Sequence, residues 1–355
     1  MDLKVTLTDK PKAKFTDEGA LGFGRIFTDH MFTMEYEKGK GWFNHKIIPY
    51  SDFVLDPATV VFHYGQEIFE GMKAYRDESG AVRIFRAERN FARMNDSCER
   101  LCMAKFDEKE AMEALIKLLE IEKDWIPTSL GTSLYIRPFM IGTDVHLGVA
   151  ASEKYLFAII LSPSGPYYKN GLAPVGIYVE DEYVRAVKGG TGAAKAGGNY
   201  AASILAGQKA KEKGYSQVLW LDSTKTTVEE VGAMNIFFVI DGVLVTPQLN
   251  GSILPGITRD SVITLAKSLG IKVEEREVTI EEIAKAHKEG KLNECFGSGT
   301  AAVISPVGEL CYKGEKMVIN ENKMGEKARL LYDKLTDIQY KGIGDSFGWS
   351  KTLEF

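Results

Sequence analysis

Lys188-Gly-Gly-Thr-Gly-Ala-Ala-Lys195-Ala-Gly-Gly-Asn-Tyr200 sets one lysine in a bed of glycines and alanines. Gly189, Gly190, Gly192, Gly197 and Gly198 let the backbone take conformations that a β-carbon forbids, and let a flat ligand approach closely. Lys195 has only small sequence neighbours, so nothing adjacent fills the space around its amine. A lysine kept partly dry loses pKa and becomes a nucleophile for carbonyls. The other reading is a glycine-rich surface loop with a solvated lysine, since such loops are common. The loop runs straight into an apolar helical pattern, Ala201 to Lys213, closed by Gly214, and that continuation favours chemistry.

Composition narrows the classes. A chain of 355 residues exceeds one typical core and points to about two domains. With 45% hydrophobic and 26% charged residues it has a globular composition, and its formal charge of −5 gives no electrostatic case for nucleic acid or an anionic membrane. The apolar run Tyr155 to Leu161 is too short to cross a bilayer. Met1 to Phe15 is lysine-rich and polar, without an apolar signal core, so a cytoplasmic location is expected. Four cysteines make no disulfide framework in a chain this long. Cys98 and Cys102 lie one helical turn apart on a face with Phe91, Met94 and Leu101, which suits buried small hydrophobes better than metal ligands. The histidines show no ligand spacing, so no metal is expected.

Along the chain, Phe53–Leu55 and Val60–Phe62 read as short strands, and Ala81–Phe85 as another after a Ser-Gly turn. Helical patterns cover about Ala87–Met103 and Glu108–Trp125. Leu134–Met140 and Tyr155–Leu161 read as strands, the second buried on both faces. Ser162–Gly176 is rich in proline and glycine and reads as a linker or crossover loop. Ile177–Val179 and Gln217–Leu221 are strands. Asn235–Ile240 and Val243–Val245 flank Asp241-Gly242, a strong hairpin signal. A helix starts near Thr258 and stops at Gly270, and another starts at Thr279-Ile-Glu-Glu282, which has capping-box spacing. The expected architecture is two mixed α/β domains, 1–164 and 179–355, joined by a linker at 165–178.

If Lys195 bonds a cofactor aldehyde, pyridoxal phosphate is the natural candidate, and it needs a phosphate cradle, a partner for its ring nitrogen and a wall against the ring. Leu254-Pro-Gly-Ile-Thr258 leads into a helix N-terminus, where unpaired N–H groups and a partial positive charge suit a phosphate. Phe296-Gly-Ser-Gly-Thr-Ala301 offers hydroxyls and amides. Arg93 could add charged hydrogen bonds, although spacing alone places it on a solvated helix face. Glu230 could hold the ring nitrogen protonated, or be a surface carboxylate beside Glu229.

The Lys195 loop, Glu230-Val-Gly-Ala-Met-Asn235 and Gly297-Ser-Gly-Thr-Ala301 resemble the branched-chain amino acid aminotransferases. So do Phe23-Gly-Arg-Ile-Phe-Thr-Asp-His-Met31, Phe69-Glu-Gly-Met-Lys-Ala-Tyr75, Leu134-Tyr-Ile-Arg-Pro138 and Ile338-Gln-Tyr340. These blocks keep family order over nearly the whole chain. The resemblance implies the fold-type IV architecture of pyridoxal phosphate enzymes, an α/β fold of two domains with the cofactor between them, the larger C-terminal one binding it, and a homodimer. By position, Lys195 matches the Schiff-base lysine, Glu230 the ring-nitrogen partner, Arg93 the phosphate arginine and Tyr200 the tyrosine near the cofactor's phenolic oxygen. Ile257, Thr258 and Thr300 fall on the phosphate cradle. Phe23, Tyr64, Phe69, Tyr135, Arg137, Tyr167, Ala233 and Ala301 fall on the substrate pocket.

The implied reaction exchanges the amino groups of L-leucine, L-isoleucine or L-valine with 2-oxoglutarate, in ping-pong fashion. Lys195 would act as both base and acid. Aromatic walls suit an aliphatic side chain, while Arg137 and the Tyr135 hydroxyl suit the distal carboxylate of glutamate. Two departures stand out. Ala301-Ala-Val-Ile-Ser305 lacks the Cys-x-x-Cys redox switch of mitochondrial relatives, and Ala233 replaces a threonine found in several members, which leaves the backbone N–H but no hydroxyl. Within the fold type, the alternatives are a D-amino acid aminotransferase or an aminodeoxychorismate lyase. Outside it, a non-catalytic phosphate- or nucleotide-binding protein is the alternative, but Ala194 and Ala196 around Lys195 break the P-loop pattern.

Overall fold

The computed structural model describes residues 2–166 and 171–355, which fall into two compact units. The first holds residues 2–166, Ala194–Gly197 and Ile338–Phe355; the second holds residues 171–193 and Gly198–Asp337. Each is a mixed α/β unit built on a nine-stranded sheet. The chain does not divide at one point. The four residues around Lys195 and the C-terminal segment pack with the first unit, and the strand Val175–Glu180 begins within the expected linker 165–178. Contacts far apart in sequence decide this, and a proline- and glycine-rich stretch does not reveal them.

In the first unit the strand order is Lys4–Val5, Gly41–Pro49, His30–Glu37, Lys154–Ser164, Ser133–Gly142, Met72–Arg76, Val82–Phe85 and Ser350–Leu353, with Glu67–Phe69 also pairing onto Ser133–Gly142. Only the Lys4–Val5 pairing is parallel. Two helices cover one face. In Ala87–Arg100, Ala87, Phe91, Met94 and Cys98 recur at helical spacing and are buried. Glu108–Ile121 begins at Asp107, whose carboxylate accepts the N–H groups of Lys109 and Glu110 at 2.8 and 3.1 Å. It buries Ala111, Ala114, Leu115, Leu118 and Leu119 against the sheet. Each of the larger side chains contributes about 1.5–3 kcal/mol, and Leu118→Ala would cost roughly 2–5 kcal/mol.

The second unit joins Val228–Val231, Gln217–Leu221, Val175–Glu180, Val303–Tyr312, Leu292–Gly299 and Met234–Ile240 in that order. Val228–Val231 also pairs with Met234–Ile240, so these six strands close into a ring. Val243–Pro247 and Val273–Arg276 continue outward from Met234–Ile240. The expected Asp241-Gly242 hairpin is present, with Asp241 and Gly242 both at positive φ. The helix Ile257–Ser268 ends just before Gly270, at φ +74°. Thr279 caps Ile280–Lys288 by accepting the Glu282 N–H at 3.1 Å. The capping box is only half made, because the Glu282 carboxylate turns to Arg276 instead.

Several local expectations fail. Phe53–Leu55 forms no strand, and Val60–Tyr64 is a five-residue helix, stopped by Gly65 in the left-handed region. The β-branched pair Val60-Val61 favours strand locally, but the Val60 N–H bonds Asp144 and the Thr59 bridge to Val145 ends the extended backbone there. Ala201–Lys213 is not one helix: Gly197–Ala201 and Ile204–Glu212 are separated by a turn. Cys102 lies beyond the helix end, exposed at φ +54°, while Cys98 is buried. Among the described residues no helix is long and apolar enough to cross a membrane, and no group of three or more side chains could hold a metal ion.

Candidate active site

In the first unit Lys195 lies against Glu67–Phe69 as though it were a further strand. The Phe69 N–H donates to the Lys195 carbonyl at 3.0 Å, the Lys195 N–H donates to Ser97 Oγ at 2.9 Å, and Ala196 bridges Ile68. A β-carbon at Gly197 would lie 1.6 Å from Glu67 Oε1, so any larger residue would push that carboxylate aside. The half-buried Lys195 places its amine 4.9 Å from the centre of the Phe69 ring. The lysine is therefore held by its backbone on both sides.

Ser133–Gly142 alternates along its length. Leu134, Ile136, Pro138 and Met140 are buried, while Tyr135, Arg137 and Phe139 share the opposite, partly open face. Phe69 pairs in register with Phe139 and joins that face. The Arg137 guanidinium stacks 4.6 Å from the Phe69 ring centre and donates from Nη2 to the Tyr135 hydroxyl at 3.1 Å. Its Nε is buried without a hydrogen-bond partner among the described residues. Phe23 meets Tyr135 edge-on at 4.9 Å. Gly71 makes room for this tyrosine, because a β-carbon there would sit 2.1 Å from its hydroxyl. Phe23, Phe69, Tyr135, Arg137 and Lys195, scattered over the sequence, are thus neighbours.

Arg93 is buried, contrary to the solvated face that spacing alone suggested. Its Nε and Nη2 donate to the two oxygens of Glu70 at 2.7 and 2.8 Å, a bidentate pair. Burial alone would raise the Glu70 carboxyl; Arg93, by charge and hydrogen bond, with Lys195 and Asn90 adding, holds it below the usual carboxylate value.

In the second unit Glu229 and Glu230 are both buried, so neither is a surface carboxylate. They point to opposite faces of Val228–Val231. Glu230 accepts the Leu254 N–H through Oε1 at 2.7 Å, and its Oε2 lies 3.3 Å from Arg185 Nε. Glu229 is held by Asn250 at 3.2 Å and by Ser252, and its second oxygen is buried without a hydrogen-bond partner among the described residues. Ala233 sits with Gly232 in the turn after that strand. Ile257 and Thr258 open the helix Ile257–Ser268, whose N-cap, Gly256, supplies no side-chain cap. Thr300 and Ala301 form the turn between Leu292–Gly299 and Val303–Tyr312, next to Ser298, whose buried hydroxyl has no partner among the described residues. Tyr200 lies in the short helix Gly197–Ala201, and Asn199 clamps the loop by exchanging hydrogen bonds with Thr191 at 2.7 and 2.9 Å.

Not every expected residue joins a cluster. Tyr64 is exposed, and its hydroxyl donates to the Leu147 carbonyl. Tyr167 lies outside the described residues. Three residues were not foreseen. Glu70 and Arg185 fill the charge partners of Arg93 and Glu230. Lys73, opposite Tyr135 in register, is buried, and burial pushes its amine down to about 8. The signal for Glu70 and Lys73 was their presence in the Phe69–Tyr75 block; nothing around Arg185 marked it.

The chemistry of these groups suits a phosphorylated pyridine aldehyde. The first unit offers a half-buried primary amine; the second offers a buried carboxylate fixed beside a guanidinium, an uncapped helix start, and a buried Ser298 hydroxyl with no partner among the described residues.

The family model for amino-transferase class IV matches residues 67–310. Branched-chain-amino-acid aminotransferase 2 of Bacillus subtilis (strain 168) is 56% identical over 349 residues, which is 98% of this chain and 95% of that protein. The crystal structure of Escherichia coli branched-chain amino acid aminotransferase is similar with a TM-score of 0.74 and 27% identity, covering 92% of this chain and 99% of that one. The crystal structure of the branched-chain aminotransferase from the thermophilic archaeon Thermoproteus uzoniensis with norvaline is similar with a TM-score of 0.76 and 25% identity, over 92% of this chain and 100% of that one. The chain therefore belongs to the class IV aminotransferases, in their branched-chain-amino-acid aminotransferase group.

Proposed function

We propose that this chain transfers the amino group of L-leucine, L-isoleucine or L-valine to 2-oxoglutarate, giving the branched 2-oxo acids and L-glutamate. The observation that carries the reading is the face shared by Phe69, Tyr135 and Arg137, with the Lys195 amine beside the same Phe69 ring. Two aromatic rings accept an aliphatic side chain, and the guanidinium accepts a distal carboxylate, so one pocket takes both amino acids in turn. Apolar walls separate substrates differing by one methylene by only about 1–3 kcal/mol, so all three branched-chain amino acids should react.

Pyridoxal phosphate, when bound, supplies the electron sink that makes the substrate's α-proton acidic. The chain supplies the rest. Lys195 carries that proton, first as base and then as acid. Glu230, kept in place by Arg185 and the Leu254 N–H, would keep the ring nitrogen protonated. Arg93, Ile257, Thr258 and Thr300 would hold the phosphate, and Tyr200 would serve the phenolic oxygen. The backbone N–H groups of Ala233 and Ala301 would serve the substrate carboxylate, and Phe23, edge-on to Tyr135, would add to the apolar wall.

A homodimer belongs to the same reading. On the first unit Val54, Phe62, Leu147 and Val149 are exposed by 97, 61, 67 and 85%, an apolar surface that a second copy would cover. Four free cysteines, Cys102 exposed among them, suit a reducing compartment such as the cytoplasm.

The visible absorption spectrum of the purified protein tests the function. A visible band that falls on adding L-leucine and returns with 2-oxoglutarate is expected. A response to D-amino acids alone would replace the substrate, and a protein left colourless after adding pyridoxal phosphate would end the enzyme reading.

A further inference from the structure

We propose that Glu70 is a positioning residue that aims Arg93 at the cofactor phosphate, a role that rests on the assignment of Arg93 above. Glu70 is completely buried and follows Phe69, the residue whose N–H holds the Lys195 carbonyl. Its carboxylate accepts four hydrogen bonds: Arg93 Nε at 2.7 Å, Arg93 Nη2 at 2.8 Å, Asn90 Nδ2 at 2.8 Å and the Gly71 N–H at 3.1 Å. Three of the four fall on Oε2 and one on Oε1, all from groups of the chain itself. A carboxylate has no donor for a phosphate and repels its charge, so whatever Glu70 does for that ligand it does through Arg93.

Two of the three guanidinium nitrogens are engaged on one carboxylate, which fixes the plane of Arg93 and the direction of the third. An unanchored arginine would lose several rotatable bonds on binding an anion; this one has already lost them. Stability alone does not account for the pair. Replacing a buried ion pair by apolar residues of similar volume is often neutral or stabilising, so the desolvation of two charges needs another return. Asn90, which also donates to the Gly71 carbonyl at 3.2 Å, ties the carboxylate to the chain turn and keeps the assembly from rotating as a unit.

The test compares pyridoxal phosphate with pyridoxal, which lacks the phosphate, in equilibrium binding to the full-length chain freed of cofactor. Glu70→Gln keeps the shape but not the charge. It should weaken pyridoxal phosphate about tenfold, near the lower end of one charged hydrogen bond, and leave pyridoxal within about twofold. In an Arg93→Met background the same substitution should add no further loss. Equal weakening of both ligands, or an additive loss in the Arg93→Met background, would show that Glu70 only supports the fold and overturn the proposal. If Glu70→Gln does not fold, Glu70→Asp reads the same selectivity, because the shorter carboxylate cannot meet both nitrogens. Arg93→Met alone separates the two layers of the argument. If it weakens pyridoxal as much as pyridoxal phosphate, the phosphate assignment of Arg93 fails and this proposal with it; if only Glu70 lacks the selectivity, the assignment stands and the positioning role falls.

Discussion

Arg185→Met should be among the most damaging single substitutions in the second unit, although it touches no residue with an expected direct role except Glu230. Both side chains are almost fully buried, with Arg185 Nε 3.3 Å from Glu230 Oε2. Arg185 Nη2 also donates to the Gly192 carbonyl at 3.1 Å and to the Ser252 carbonyl. Methionine fills much of the volume but leaves the Glu230 carboxylate buried without its guanidinium. Breaking a buried pair from one side costs about 3–5 kcal/mol. The two carbonyls lose a donor as well, which places the expected value towards the upper end. For a cooperative unit of this size that corresponds to a fall in Tm of roughly 10 °C. Adding Glu230→Gln removes the uncompensated charge, so the double variant should be more stable than Arg185→Met alone. Urea unfolding of the cofactor-free chain, followed by circular dichroism for wild type, both single variants and the double, gives the cycle. A loss below about 1 kcal/mol for Arg185→Met, or strict additivity in the double variant, would refute the argument that the pair is a mutually dependent buried charge.

Arg137→Ala should lower kcat/KM for L-glutamate about 10- to 100-fold, the worth of a charged hydrogen bond, and for L-leucine far less; equal losses would mean that Arg137 merely supports the fold. Lys73 should impose a pH dependence. Its folded value of about 8 lies below the unfolded value, so the unfolded chain binds more protons above pH 8 and stability rises with pH until about 10.4. Lys73→Met should remove that rise and stabilise the chain at pH 7 by on the order of 2–3 kcal/mol, read as the difference in urea unfolding at pH 7, 9 and 10.5; a difference independent of pH would count against it. Thiol labelling of the native chain should modify Cys102 rapidly and the other three cysteines only after unfolding, since Cys98, Cys295 and Cys311 are buried, and burial pushes the Cys98 thiol up to about 12. Mild peroxide followed by thiol should produce no cycle of lost and restored activity, because Ala301–Ser305 carries no cysteine.

The legible parts of this sequence were those in which a local pattern and the tertiary structure ask for the same thing. Asp241-Gly242 must turn between two apolar strands, Gly270 must end a helix, and Thr279 caps whatever follows it, so the residue type alone was sufficient. The Lys195 loop was legible as a place for chemistry because five glycines are costly unless backbone must approach something closely. What the loop approaches was not legible. Its partner, Glu67–Phe69, lies more than a hundred positions away, and a contact of the Gly197–Glu67 kind appears only once the two are folded together. Val60–Tyr64 failed for the same reason in reverse: β-branched residues favour a strand, but the hydrogen bond to Asp144 and the turn before it set the backbone. Arg93 was misplaced because a helical arginine reads as solvated until a carboxylate from another element is found beneath it.

Glu70, Arg93, Arg185 and Glu230 share one physical feature: each is a charge whose partner is distant in sequence and which is buried with it. Glu70 with Arg93, and Glu230 with Arg185, would appear on any helical or strand pattern as polar positions facing water. Hydrophobic periodicity is blind to them by construction, since it assigns every charged residue to the outside. Yet burying them costs desolvation on both sides, and well-packed apolar residues in their place are often no less stable. The family blocks pointed to Arg93 and Glu230 through the roles that the resemblance implies, and left Arg185 unmarked. A buried carboxylate–guanidinium pair within reach of a reactive lysine or a glycine turn is therefore a signal for a site in its own right. It can be found from structure alone, and it identifies the residues that hold the chemistry in place as well as those that perform it.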